Sequence, residues 1–363
     1  MPSADWQPLI CGLKSLGVHM NQRQSSVDTR QPLPYANGWF AICFSHELKQ
    51  GAVLALPFMG QELVVYRTRS GQVRTVDPYC PHLGAHLGHG GKVEGENLVC
   101  PFHGLAFNPE GHCIRTGIGQ KPPCAKLPHK QTRESNGVVL VWNSSGGYPP
   151  DWEIPELDTT GFSLPAYSRY DLAGYAQDMI ENSADMLHFA WVHGFTDVAM
   201  SHQTDSSKME LNLSARWRGV PLHMHVTSHG LGYVLVKSQM PRFGVQVKTR
   251  GFATQTRPLE WTFRWSDIVR VAYLDRFPAI LRKPAYALLI KLAHLWFVRV
   301  VSDDFPIWNN RRYVVDPKLI AGEGALMAYR RWASRFYPHE VEPQLDIRGA
   351  EQTAQKISAK LTE

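Results

Sequence analysis

From Gly38 to Trp142 the chain breaks into short β-branched and aromatic runs, among them Ala52–Leu56, Glu62–Arg67 and Gly137–Trp142, punctuated by Gly, Pro, Ser and Asp. That rhythm predicts a small all-β domain. Asn143-Ser-Ser-Gly-Gly-Tyr-Pro-Pro-Asp151 is dense in turn formers and marks a domain boundary. Beyond it Ala176–Phe189 has helical periodicity, while Glu210–Trp217, Leu231–Gln239 and Gly244–Thr256 read as strands. Arg276–Val301 and Ile320–Phe336 read as helices. Strands followed by long helices predict an α+β domain with an antiparallel sheet flanked by helices. There is no internal repeat. The organisation expected is an N-terminal arm over 1–30, an all-β domain over 31–148, an α+β domain over 149–348 and a polar tail over 349–363.

Composition removes several classes. With 363 residues, 44% hydrophobic and 19% charged, the chain can bury a large core and is too apolar for disorder. The net charge of +6 comes from basic residues scattered along the sequence, which does not suggest a nucleic-acid binder. Six unevenly spaced cysteines do not resemble a secreted disulfide framework, and Met1–Met20 does not read as a signal peptide, so a reducing cytoplasm is expected. The most apolar stretch, Pro284–Val301, contains Lys291, His294 and Arg299, which are costly at a bilayer centre. It is read as a helix covering the core or a substrate channel, with membrane-surface contact as the lesser reading.

The all-β segment carries Cys80-Pro-His82-Leu-Gly-Ala and Cys100-Pro-Phe-His103-Gly, two Cys/His pairs separated by 17 residues (83 to 99). Two thiolates and two imidazoles can hold zinc or an iron–sulfur cluster. A zinc finger commonly pairs cysteine with cysteine and histidine with histidine. In a Rieske cluster one iron takes both thiolates and the other both imidazoles, so each loop supplies one of each, as here. Cys-Pro-His-Leu-Gly-Ala-His and Cys-Pro-Phe-His-Gly resemble the Rieske domain of Rieske non-heme iron oxygenases and their ferredoxins. The high-potential respiratory class has a further cysteine in each loop, where this chain has Ala85 and Phe102. The resemblance implies that His82 and His103 face outward. His86 and His89 lack partner cysteines and are read as solvated loop residues. Cys11, Cys43, Cys113 and Cys124 are read as packing or idle thiols. Leu105 stands where many relatives have Trp, with an effect expected on local packing alone.

The second half must do something more, and its best candidate is Asp178-Met-Ile-Glu181-Asn182-Ser-Ala-Asp185-Met-Leu-His188-Phe-Ala-Trp-Val-His193. Asp185 and His188 share a helical face. His193 lies roughly 140° further round an ideal helix than His188, so both can bind one metal only if the helix ends or bulges near Phe189–Val192. Behind a Rieske motif, this string resembles the catalytic domain of Rieske oxygenases, in which two histidines and a distant carboxylate hold mononuclear Fe(II) and leave positions open for dioxygen. By that resemblance Glu181-Asn182 is the usual preceding pair, and Asp185 links an iron-bound histidine to a cluster histidine of the neighbouring subunit in a head-to-tail trimer.

The resemblance covers about Gly38 to Pro338. Asp304-Phe-Pro-Ile-Trp308-Asn-Asn-Arg-Arg-Tyr and Tyr329-Arg-Arg-Trp332 look closest to the steroid-acting branch, the ketosteroid hydroxylases and cholesterol desaturases. In that branch the carboxylate ligand stands four residues before the Trp, which places it at Asp304. Asp303 is then the solvent-facing neighbour, and either aspartate can otherwise serve as an ordinary helix cap. The implied cofactors are a [2Fe-2S] cluster held by Cys80, His82, Cys100 and His103, and mononuclear Fe(II) held by His188, His193 and Asp304, with O2 as co-substrate. No strand-linked Gly-x-Gly-x-x-Gly is present, so NAD(P)H is expected to act through a separate reductase, with or without a ferredoxin. The substrate expected is a hydrophobic, ring-containing small molecule. The rivals are a Rieske electron carrier with a non-catalytic partner-binding domain and a zinc-binding interaction module. His223, His225 and His229 are read as a pocket wall or surface face.

Overall fold

The computed structural model describes residues 30–338, so the expected arm and tail lie outside the described residues, apart from Arg30. Three small antiparallel sheets build the first half. Val53–Phe58, Gln61–Arg67, Val73–Val76 and His129–Lys130 form one, and Lys92–Glu94, Asn97–Val99, Ala106–Phe107 and Cys113–Arg115 form another. Gly38–Phe44, Val138–Asn143 and Thr132–Ser135 form the third, with Val138–Asn143 central.

The second half is a seven-stranded antiparallel sheet. Its order is Ala166–Ala173, Glu260–Val271, Val245–Arg257, Tyr233–Met240, Val220–His229, Lys208–Trp217 and Phe195–Thr204. The helices are Asp178–Ala184, Met186–Trp191, Ala279–Ser302, Phe305–Asn310 and Gly324–Ala333. This is the expected α+β architecture, with four strands the periodicity did not single out. In Lys208–Trp217, Met209, Leu211, Leu213 and Ala215 are buried in alternation, so the strand declares itself. Glu260–Val271 does not, because Trp261–Val269 is buried on both faces and includes Thr262, Arg264, Ser266 and Asp267. Phe195–Thr204 is a largely exposed edge strand with little apolar patterning.

The expected boundary near 148/149 separates sheets but not cores, because from Gln31 onward the described chain forms one compact unit. Phe40, Leu63 and Val65 share a hydrophobic cluster with Met179, Trp261, Trp308 and Trp332. Backbone bonds cross as well: Met59 N–H donates to Gln255 O at 3.0 Å and Gly60 N–H to Thr256 O at 2.9 Å. The buried Thr254 hydroxyl donates to Ala41 O at 2.7 Å. A second cluster, with Tyr66, Leu87, Leu98, Leu105 and Phe107, supports Cys80 and Cys100 from below. Leu105 is thus a core residue under its loop, consistent with a packing role.

Candidate metal centres

The two Cys/His loops are one turn used twice. Cys80 N–H donates to Ala85 O and Gly84 N–H to Cys80 O, both at 2.9 Å. Cys100 N–H donates to Leu105 O at 2.9 Å and Gly104 N–H to Cys100 O at 3.2 Å. The glycine four residues after each cysteine has φ of +75° at Gly84 and +64° at Gly104, which a side chain resists. At Gly104 there is also no room: a Cβ would lie 2.7 Å from the Cα of Gly117, whose N–H bonds His103 O. This third segment beneath the site carried no signal in the cysteine–histidine spacing; two glycines at 104 and 117 were its only trace.

The turns bury Cys80 and Cys100 while leaving His82 and His103 exposed, with imidazole rings 4.8 Å apart. Both cysteines are free thiols. Burial pushes the Cys80 thiol up to about 11, offset in part by a backbone hydrogen bond at His82 and reinforced by the neighbouring Cys100. The buried Cys80 thiol needs a counter-charge to ionise, and bound ferric or ferrous ions would supply it. The residues therefore fit a cluster with one sulfur and one nitrogen ligand from each loop.

The second centre forms where the helix breaks. Asp185, at φ −90° and ψ 96°, is extended, so the expected single helix is two short ones: Asp178–Ala184 and Met186–Trp191. The second ends at Trp191, inside the expected irregular stretch, and Gly194 at φ +67° turns the chain. His188 and His193 thereby face each other, with ring centroids 5.0 Å apart. Asp304 joins them from the start of Phe305–Asn310, and ligand atoms of all three lie within 4.8 Å of one another. His193 Nε2 is 3.5 Å from Asp304 Oδ2, and each side chain is 6% exposed.

Three observations fit a cation here. Asp304 makes no side-chain cap bond although it stands at the N-cap. Its buried Oδ1 and His193 Nδ1 have no hydrogen-bond partner. Burial holds His188 below the ordinary imidazole range, against the pull of the Asp185 carbonyl and the Asp304 carboxylate, so it stays neutral and able to ligate. Two imidazoles and one carboxylate are the donor set of non-heme ferrous sites. Asp303, by contrast, is exposed and pairs with Arg299 at 3.2 Å.

Asp185 differs from expectation in its contacts. Its side-chain Oδ1 accepts from Leu187 N–H and His188 N–H at 3.1 and 3.2 Å, so the carboxylate caps the helix. It is the Asp185 carbonyl that sits 2.6 Å from His188 Nδ1. That bond assigns the Nδ1 proton and leaves Nε2 as the donor atom.

The sequence motifs did not reveal what holds these helices. Glu181, buried, accepts from Arg311 Nη2 at 2.6 Å and from Arg330 Nη2 and Nε at 2.9 and 3.2 Å. Tyr329 and Tyr337 hydroxyls donate to Gln177 O and Oε1. The arginines were visible only as parts of a resemblance, without their partner. His86 is less solvated than expected: its Nε2 pairs with Glu62 at 2.9 Å and its ring lies 4.5 Å from that of His89. These three also bring ligand atoms within 4.8 Å, at a largely exposed position. His223 and His225 bond Ser214 and Thr227, and with His229 they join no metal-ligand grouping among the described residues. Cys113 is buried in the same hydrophobic cluster as Cys80 and Cys100, in keeping with a packing role, and Cys124 is exposed.

Residues 38–128 match the Rieske [2Fe-2S] domain family, and residues 141–337 match the 3-ketosteroid 9alpha-hydroxylase C-terminal domain. A cholesterol 7-desaturase of Bombyx mori is 30% identical over 350 residues, covering 88% of this chain and 74% of the relative. The oxygenase component of a 3-ketosteroid-9-alpha-monooxygenase from Rhodococcus rhodochrous is 24% identical over 331 residues, covering 84% and 82%. In fold, the chain superposes on dicamba monooxygenase with a TM-score of 0.61 at 13% identity, over 83% of this chain and 97% of that one. The doubled cysteine–histidine turn and the buried His-His-Asp group thus stand in the order these matches require, and the chain belongs to the Rieske oxygenases of the 3-ketosteroid 9alpha-hydroxylase type.

Proposed function

We propose that this oxygenase component oxidises a hydrophobic, ring-containing small molecule, with the steroid nucleus as the first class to test. The carrying observation is the buried convergence of His188, His193 and Asp304 beside an apolar wall. Phe189 and Phe195 lie 6.1 and 6.2 Å from the His193 ring, and Phe195 continues into a cluster with Leu213, Met200, Met224 and Met240. Flexible methionines adapt to a bulky apolar guest. Two relatives named for cholesterol 7-desaturation and 3-ketosteroid 9-alpha-monooxygenation support the same class. A pure electron carrier has no use for such a group.

A [2Fe-2S] cluster held by Cys80, His82, Cys100 and His103 would supply electrons singly, and Fe(II) held by His188, His193 and Asp304 would supply dioxygen activation. The chain does the rest: the Asp185 carbonyl orients His188, buried Asp304 supplies the negative charge, and the wall excludes water. Hydroxylation, desaturation, N-oxidation or dealkylation follows from which substrate atom is held nearest. Electrons come from NAD(P)H through a separate reductase, directly or by way of a ferredoxin.

A head-to-tail homotrimer in a reducing cytoplasm completes the reading, with Asp185 linking His188 to His82 or His103 of a neighbour. Support comes from the exposed histidine pair and its collar, where Leu83 and Phe102 are 66% and 62% exposed. The test is oxygen uptake and product analysis with the iron-loaded protein, a reductase and a panel of steroids, arylamines and polycyclic heterocycles. A protein that holds cluster iron alone, or consumes no oxygen with any class, overturns the proposal.

A further inference from the structure

The helix Ala279–Ser302 is apolar on both sides, yet the fold covers only one. Tyr286, Ile290 and His294 face inward, against Glu260–Val271 and Ala166–Ala173. His294 Nδ1 lies 2.6 Å from Asp267 Oδ2 and its Nε2 2.7 Å from Ser168 Oγ, while Val271 N–H donates to Tyr286 Oη at 3.1 Å. At about 100° per residue, Leu281, Leu288, Leu292 and Leu295 stand on the opposite side. All four are exposed, Leu288 by 59% and Leu295 by 63%, and Ile280, Phe277 and Tyr273 extend the patch past the start of the helix. Of its most apolar 18-residue window, 17% is buried. The expected covering helix is therefore half a covering helix, and a row of leucines on its outer side needs a partner.

Charge identifies that partner. From Asp275 to Asp303 five cations, Arg276, Arg282, Lys283, Lys291 and Arg299, face two acids at the ends, Asp275 paired with Arg270 and Asp303 with Arg299, so the stretch keeps a positive excess. In the head-to-tail assembly proposed above this face would meet a different surface of the neighbour, which would have to present acids to it. An anionic lipid surface accepts both the leucines and the cationic rim, and the exposed Tyr273 and Phe277 suit the headgroup level. The bonds of His294 and Tyr286 to the sheet prevent the helix from leaving the fold to span a bilayer.

We propose that Ala279–Ser302 seats this oxygenase on an anionic membrane surface, its leucine face entering the headgroup boundary without crossing. The same helix leads into Asp304 and packs Trp296 on Trp217, rings 5.0 Å apart, at the edge of the apolar wall beside His193. Docking there holds the wall next to lipid. The proposal concerns attachment and stands whatever the metal site oxidises.

The test is co-sedimentation of the full, iron-loaded protein with phosphatidylglycerol–phosphatidylcholine vesicles and with phosphatidylcholine vesicles alone. The wild type is expected to pellet with the anionic vesicles, less with the neutral ones, and less as salt rises. The double substitution Leu288→Glu and Leu292→Glu should weaken binding by about tenfold or more while keeping the visible cluster spectrum and the elution volume. Arg282→Glu with Lys291→Glu, the two cations that flank the leucine row at about 100° per residue, should abolish the preference for anionic vesicles. A wild type that does not pellet overturns the proposal. So does a leucine variant whose oligomer falls apart, since the face would then belong to a second copy.

Discussion

Asp303 and Asp304 are neighbours that meet opposite environments. Asp304 is buried with one oxygen unpartnered, whereas Asp303 holds a surface pair with Arg299. Asp304→Ala should therefore lose mononuclear iron and all substrate-dependent oxygen uptake. Asp303→Ala should keep both and change stability by about 0.5 kcal/mol or less, in line with exposed helix pairs. Metal analysis and uptake on the same two preparations check it, and the opposite pattern would move the ligand by one residue. Asp185 separates two roles that reside in one residue. Asn caps a helix as well as Asp does, so Asp185→Asn should fold normally and retain both metals. If the carboxylate also serves the electron path between subunits, reoxidation of the reduced cluster with substrate and oxygen should slow by orders of magnitude. Stopped-flow absorbance reads that rate directly, and an unchanged rate leaves Asp185 with the cap alone.

At the level of elements, the helices carrying the ligands are too short to stand by themselves and are held by the Glu181–Arg311–Arg330 cluster. Burial tends to raise the Glu181 carboxyl, but Arg311 and Arg330 outweigh it, so it titrates below the ordinary carboxylate range. A carboxyl lowered in the folded state adds stability above its unfolded value of about 4.3 and gives it up as pH falls through the lower folded value. Arg330→Met removes two of the three bonds to Glu181 and leaves the buried carboxylate to Arg311 alone, which should cost about 1.5–3 kcal/mol and flatten the melting temperature's dependence on pH below about 4.5. Thermal melts across that range measure both effects. The sequence hid this cluster because Glu181 lies 130 and 149 residues from its partners. By contrast the two Cys/His pairs and the His188/His193 pair were legible, since their candidate donors stand close together in sequence, whereas Asp304 was placed by resemblance alone. Lys208–Trp217 was legible through alternation, while Glu260–Val271 was not, because its polar side chains are buried and bonded: Thr262 to Asp171, Trp265 to Asp267. The extra helix break at Asp185 had a readable sign, an aspartate ahead of an apolar run, which the longer periodic pattern overrode.

For the whole molecule, the proposed ring makes a prediction that no single chain satisfies. Cys80→Ala should lose the red-brown cluster yet keep mononuclear iron, and His188→Ala should do the reverse; each alone should be inactive. Dissociated together and reassembled, the two should regain turnover if electrons cross between subunits, because an intact cluster then faces an intact iron site. Activity that stays at the level of the separate variants would confine the path to one chain. The crossing bonds from Met59, Gly60 and Thr254 and the shared core also bear on timing. They weld the cluster-bearing sheets to the catalytic sheet, so within each chain the cluster loops are no swinging arm. Each chain is then a rigid block, and on the proposed ring the tunnelling gap is set where two blocks meet. A bound substrate then has two places to act as a throttle, the energy of the acceptor site and the fit of that seam, and neither asks the cluster loops to swing.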